Sequence, residues 1–207
     1  MRFILGKKIG MSEAFDASGK IIGITAISAG PIFVTQVRTK DKDGYEAVQV
    51  GFGLKKKNSK PKVGHLKKVN IEGIDSTKLN ALREFRIENP EMNLGDKIDV
   101  SIFKPGEKVT VQSVSKSKGF QGVVKRHGFH GGPKTHGNKH QNRAPGSIGA
   151  TTPQHVIKGR KMAGRMGGDT ITTKNLKVFS IEPEHNMLLL EGAVPGKRGS
   201  LIKVMAK

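Results

Sequence analysis

The chain has 207 residues, enough for a domain with its own core plus an insertion, but only 35% are hydrophobic and the formal net charge is +20. A charge of that size attracts polyanions and selects nucleic acid, anionic membrane or acidic protein as the partner class. With no cysteine in the chain, disulfides, thiolate metal sites and thiol catalysis are excluded.

In chain order, MRFILGKKIGM meets glycine and lysine too early for a secretory apolar region, and no run approaches the length of a membrane span. A cytoplasmic protein without a membrane partner is expected. IIGITAISAG (21–30), FVTQVRT (33–39) and EAVQVGFG (46–53) are rich in Ile, Val and Thr and separated by turn residues, which predicts a β meander. Then follow KKKNSKPKVGHLKK and DSTKLNALREFRI, where Asp75 or Ser76 is placed to cap a short helix with Leu79 and Leu82 on one face. Further strands are predicted at KIDVSIF (97–103), KVTVQSVS (108–115), KVFSIEP (177–183), NMLLLEGAV (186–194) and SLIKVM (200–205). Short strands between Gly and Pro turns favour a closed or nearly closed barrel, which also protects sheet edges. The expected organisation is mainly β: a barrel from 1–53, 95–115 and 173–207, a small α+β excursion at 54–94, and a long irregular basic extension at 116–172.

The extension carries the charge. No acid occurs between Glu107 and Asp169, and that window holds 12 lysines and arginines and 12 glycines, so it supplies +12 of the total. Apart from a helical turn predicted at GFQGVVKRH (119–127), it lacks periodicity and has too few large apolar residues for a core. Long irregular insertions are usually functional or disordered.

Within it, HGFHGGPKTHGNKHQNRAPGSIG places His127, His130, His136 and His140 at spacings a metal could use. Structural zinc sites usually mix in cysteine, and histidine-only sites lean on carboxylates that orient the rings; both are missing locally, so no metal or cofactor is expected. Catalysis lacks local support for the same reason, since Ser113, Ser115, Ser117 and Ser147 have no nearby acid. No phosphate-loop motif occurs either, so neither an enzyme nor a small-molecule substrate is expected. A metal-using enzyme and a DNA-bending protein are the competing classes. The glycines let the backbone press against another surface and offer N–H groups to phosphates, and no helix-turn-helix, finger or heptad suits duplex DNA, so RNA is the better partner. The candidate RNA-binding residues are Lys118, Lys125, Arg126, His127, His130, Lys134, His136, Lys139, His140, Arg143, Lys158, Arg160, Lys161 and Arg165. Cations neutralise phosphates and histidines make polar or stacking contacts.

SKGFQGVVKRHGFHGGPKTHGN (117–138), RAPGSIG (143–149), KGRKMAGRMGG (158–168) and LLLEGAVPGKRG (188–199) resemble the bacterial large-subunit ribosomal protein three family, as do GKKIGMSEAFDASG (6–19) and AGPIFVTQVRT (29–39). The resemblance implies a β-barrel of the translation-protein type and binding to large-subunit rRNA. It also implies neighbouring large-subunit proteins as partners, a role in subunit assembly, and an extension reaching toward the peptidyl transferase centre. Gly119 to Gly137 then form the base and one limb, Arg143 to Pro153 the tip, and Lys158 to Gly168 the returning limb. Many relatives carry a longer glutamine-containing segment after the Pro-Gly-Ser-Ile-Gly motif, methylated in some. Here Gly149-Ala150-Thr151-Thr152-Pro153 is shorter and lacks it, which puts that modification in doubt.

Overall fold

The computed structural model describes residues 1–16, 18–71, 73–88 and 91–206. They form two compact units, a body (Met1–Val114 with Thr170–Lys207) and an extension unit (Ser115–Asp169).

The body contains a closed antiparallel barrel. Its strands are β1 (Arg2–Phe15), β2 (Ile21–Ala29), β7 (Lys108–Val114), β10 (Thr170–Glu182), β11 (Met187–Glu191) and β12 (Leu201–Ala206), in the order β1-β12-β7-β10-β11-β2. Period-two burial explains most of them: Val109 and Val111 in β7, Leu188 and Leu190 in β11, and Ile202, Val204 and Ala206 in β12 are all buried. Cross-strand pairs such as Ile4–Val204 and Val111–Val204 set the register, and a one-residue slip would turn these apolar sets outward. Gly6 permits the close approach of β1 and β2, since a Cβ there would lie 2.6 Å from Ile27 Cγ2 and 2.7 Å from the Ser28 carbonyl.

A second sheet in the body has the order β5-β4-β3-β6, from β3 (Ile32–Arg38), β4 (Ala47–Leu54), β5 (Leu79–Arg86) and β6 (Lys97–Ile98). Between these strands lie α1 (Lys40–Asp43) and α2 (Lys60–Leu66), whose Leu66 packs with Phe33 and Leu79. The Phe3 and Phe85 rings stack across the two sheets with centroids 4.3 Å apart, joining β1 to β5 in one apolar core.

The fold departs from the sequence-based expectations at four places. The series predicted from alternation lacks β1, the longest strand. Its Phe3, Ile4 and Leu5 are buried consecutively because one face lines the barrel and the other meets the second sheet, so no alternation appears. Strands β3 and β4, expected in the barrel, belong to the second sheet. The helix expected after Asp75 is a single 3₁₀ turn (Ser76–Lys78), with Asp75 accepting from the Thr77 N–H, followed by β5. Pairing with β4 from Ala47–Arg86 to Leu54–Leu79 overrides the helical spacing of Leu79 and Leu82, and it buries Leu79 and Phe85. The strand expected over 97–103 is two residues long and gives way to a 3₁₀ turn at Val100–Ile102.

Glu84 ties down the outer part of this sheet. It accepts from Arg38 Nε (2.9 Å) and Tyr45 Oη (2.9 Å), while Arg38 also donates to Asp43 (2.7 Å) and its guanidinium lies over the Tyr45 ring. Desolvation alone would raise the Glu84 pKa, but the hydrogen bonds from Tyr45 and Arg38 outweigh it and hold the carboxyl below its ordinary value.

Candidate nucleic-acid interface

The extension unit begins as a narrow antiparallel ribbon. Ser115 donates its N–H to the Asp169 carbonyl (2.8 Å) and Lys118 to that of Met166 (2.9 Å), and β8 (Gly119–Gln121) pairs with β9 (Gly164–Met166). Gly167 has φ +74°, and a Cβ there would lie 2.2 Å from the Lys116 carbonyl, so only glycine lets the two limbs touch. Phe120 opposes Arg165 in this ribbon and is 76% exposed.

The predicted helical turn is present as α3 (Val123–His127), which ends at Gly128 in the left-handed conformation (φ 72°) with its N–H returned to the helix. Arg126 Nη1 donates to the Met162 carbonyl (2.6 Å), and His127 Nε2 lies 3.0 Å from the same oxygen. A carbonyl only accepts, so that imidazole nitrogen carries a proton. Beyond α3 the chain closes a loop: Gly132 donates to the Asn142 carbonyl (3.1 Å), and Asn138 bridges it through the Pro133 carbonyl and the Gln141 N–H. Arg160 reaches the Ser147 carbonyl (3.1 Å) from the other limb. A cleft of about 730 Å³ lies against this loop, lined by Phe129, Gly131, Pro133, His136, Asn138 and Pro145 among others.

Twelve of the fourteen candidate residues are exposed, while Arg126 and His127 are half-buried in the clamp at Met162. The structure thus gives these two an internal structural task as well. His127, His130, His136 and His140 do not form a metal cluster; among the described residues no three His, Cys, Asp or Glu side chains converge on one point. The candidate set leaves out two exposed neighbours, Lys116, which the charge count includes, and Phe120. The signal for Phe120 is an aromatic residue in an acid-free glycine-rich window, which suits base stacking.

Val123 is the one buried side chain among the described residues 115–169, at 3% exposure, whereas Phe120, Ile148, Val156 and Ile157 lie open to solvent. Apolar burial of that extent does not offset the conformational entropy of ordering so long a segment. Its chemistry is that of a surface for a polyanion: exposed cations, exposed aromatic and aliphatic side chains, and accessible backbone N–H groups.

A family profile described as Ribosomal protein L3 matches residues 50–186. The large ribosomal subunit protein uL3 of Chloroherpeton thalassium is 50% identical over 208 residues, covering 99% of both chains. That of Acidothermus cellulolyticus is 48% identical, covering 97% of this chain and 90% of its own. The large ribosomal subunit protein uL3c of Phaeodactylum tricornutum is 46% identical, covering 98% of this chain and 97% of its own. The chain belongs to the ribosomal protein L3 family.

Proposed function

We propose that the protein is a structural component of the large ribosomal subunit that binds large-subunit rRNA through residues 115–169 and supports subunit assembly. The observation that carries this is the combination of charge and burial. The unit holds no acid before Asp169, exposes nearly all its cations and buries one side chain, so it lacks a core of its own and suits a partner made of phosphates. Lys118, Lys125, Lys134, Lys139, Arg143, Lys158, Lys161 and Arg165 neutralise phosphates, and Phe120 stacks on an unpaired base. Arg126, His127 and Arg160 fix the limbs, and the two guanidiniums keep further N–H donors for phosphate. Family resemblance supports the peptidyl transferase centre as the destination of the segment around Arg143 to Pro153, and neighbouring large-subunit proteins as further partners.

The test is binding of a folded large-subunit rRNA fragment by the intact chain and by a chain lacking residues 117–168, over a series of salt concentrations. The deletion is expected to abolish most of the affinity and most of the salt slope, at about 0.7 to 0.9 for each phosphate no longer neutralised. Unchanged affinity and slope would overturn the proposal.

A further inference from the structure

A cleft of about 230 Å³ opens on the body where β5, β7, β10 and β12 come together. Its polar lining is Arg83 from β5, Gln112 and Ser113 from β7, Thr170 from β10, Ser200, and Lys203 from β12. Gln112 and Lys203 are direct cross-strand partners, and Arg83 arrives from the second sheet. No carboxylate lines the cleft, and neither cation forms an ion pair among the described residues.

The donors left over define what the cleft can hold. Ser113 Oγ donates to the Leu201 carbonyl and Ser200 Oγ to that of Lys197, both at 2.7 Å, so the hydroxyl protons are committed. Arg83 spends one N–H on the Leu82 carbonyl (2.8 Å) and Lys203, whose ammonium also lies over the Phe85 ring, one on the Glu84 carbonyl (3.2 Å), while Gln112 spends one amide N–H on Thr172 Oγ1 (3.3 Å) and keeps the other. A guanidinium has five N–H donors and an ammonium three, so most remain available. Burial lowers the Lys203 pKa and the adjacent Arg83 charge lowers it further, with Glu84 acting the other way. Glu84 offsets only part of the repulsion between these like charges, and an anion in the cleft would relieve the rest.

We propose that this cleft binds one phosphate group, held by Arg83 and Lys203 and oriented by the Gln112 amide, and that the group is a backbone phosphate of RNA. The phosphate-binding residues of the extension all lie outside the body, so the site adds a second, independent anchor. The choice of RNA rests on the proposed function; the same tetrahedral anion could also come from free phosphate.

The experiment uses the full chain and the variants Arg83→Gln, Lys203→Gln and their combination, titrated with a folded large-subunit rRNA fragment across a salt series, with thermal unfolding as the fold control. The double variant is expected to bind more weakly and to lose about 0.7 to 0.9 from the salt slope, the share of one phosphate, while Arg83→Lys keeps the wild-type slope. If the double variant unfolds early, Arg83→Gln alone carries the test, because Arg83 is exposed and its removal should weaken binding and lower the slope by a part of that one-phosphate share of about 0.7 to 0.9. A second arm measures the unfolding midpoint in inorganic phosphate against chloride at matched ionic strength. Stabilisation of the wild type alone by phosphate, with an unchanged rRNA slope, supports the anion site and overturns RNA as its source. An unchanged slope with no phosphate effect overturns the site while leaving rRNA binding by the extension intact. Absence of rRNA binding by the wild type overturns the proposed function and the RNA assignment together, and the phosphate arm then decides the anion site by itself.

Discussion

Arg126 of α3 and Met162 of the returning limb are joined by a 2.6 Å hydrogen bond from the guanidinium to the main-chain carbonyl, across 36 residues of sequence. Arg126 also lies over Gly164, where a Cβ would come within 2.9 Å of Nη1. This cation therefore sets the spacing of the limbs that present the other cations. Hydrogen bonds to charged groups contribute about 1.5 to 3 kcal/mol, less where solvent reaches them. Arg126→Ala is expected to speed amide hydrogen exchange across 162–166 by about tenfold and to leave the thermal midpoint of the barrel unchanged. Arg126→Lys should show the same loosening with the charge retained, which separates the clamp from simple charge in an exchange measurement.

Gly131 and Gly137 are predicted to respond differently to alanine. Both have positive φ, at +75° and +86°, but a Cβ on Gly131 would lie 2.1 Å from the Asn142 carbonyl, while nothing lies within 4 Å of one on Gly137. Gly137→Ala bears only the left-handed backbone cost of about 1 kcal/mol. Gly131→Ala must also break the Gly132–Asn142 backbone bond and open the loop. With rRNA as ligand, Gly131→Ala is expected to lose about ten- to a hundredfold in affinity and Gly137→Ala less than about tenfold.

The Glu84 cluster predicts an acid-sensitive component of stability. Its folded-state pKa is depressed, so its contribution is present above the unfolded value of about 4.3 and is lost as pH falls through the folded value. Glu84→Gln is expected to flatten the stability curve below about pH 4.3, measured by urea unfolding across pH. A curve of unchanged acid slope would show that the cluster does not contribute.

Core truncation should separate folding from binding. Leu190 is fully buried in the barrel, and Leu190→Ala is expected to cost about 2 to 5 kcal/mol, with a thermal midpoint lower by about 5 to 15 °C. At a temperature where the variant remains folded, the salt slope for rRNA should match the wild type, because every cation proposed to meet phosphate is still in place.

Much of the barrel was legible because strands with one buried face alternate: Val109–Val111, Leu188–Leu190 and Ile202–Val204 each repeat at period two. Strand β1 was not, because Phe3, Ile4 and Leu5 are buried on both faces, and β5 imitated a helix through the three-residue spacing of Leu79 and Leu82. For the candidate interface, the exposed cations followed from counting charge, but the inward turn of Arg126 and His127 onto Met162 did not, since that carbonyl carries no sequence signal.

Taken alone, the chain of letters determined the mainly β class, the helical turn at α3, and the segregation of cations into an acid-free glycine-rich segment. Each of these depends on residue type or local spacing. Only the tertiary structure decided which strands close the barrel, and which of the two sheets receives β3 and β4. It alone brought Arg83 and Lys203, 120 positions apart, into one cleft without a carboxylate. Strand pairing and the meeting of like charges depend on long-range partners, and a partner's distance along the chain leaves no periodic trace in either segment.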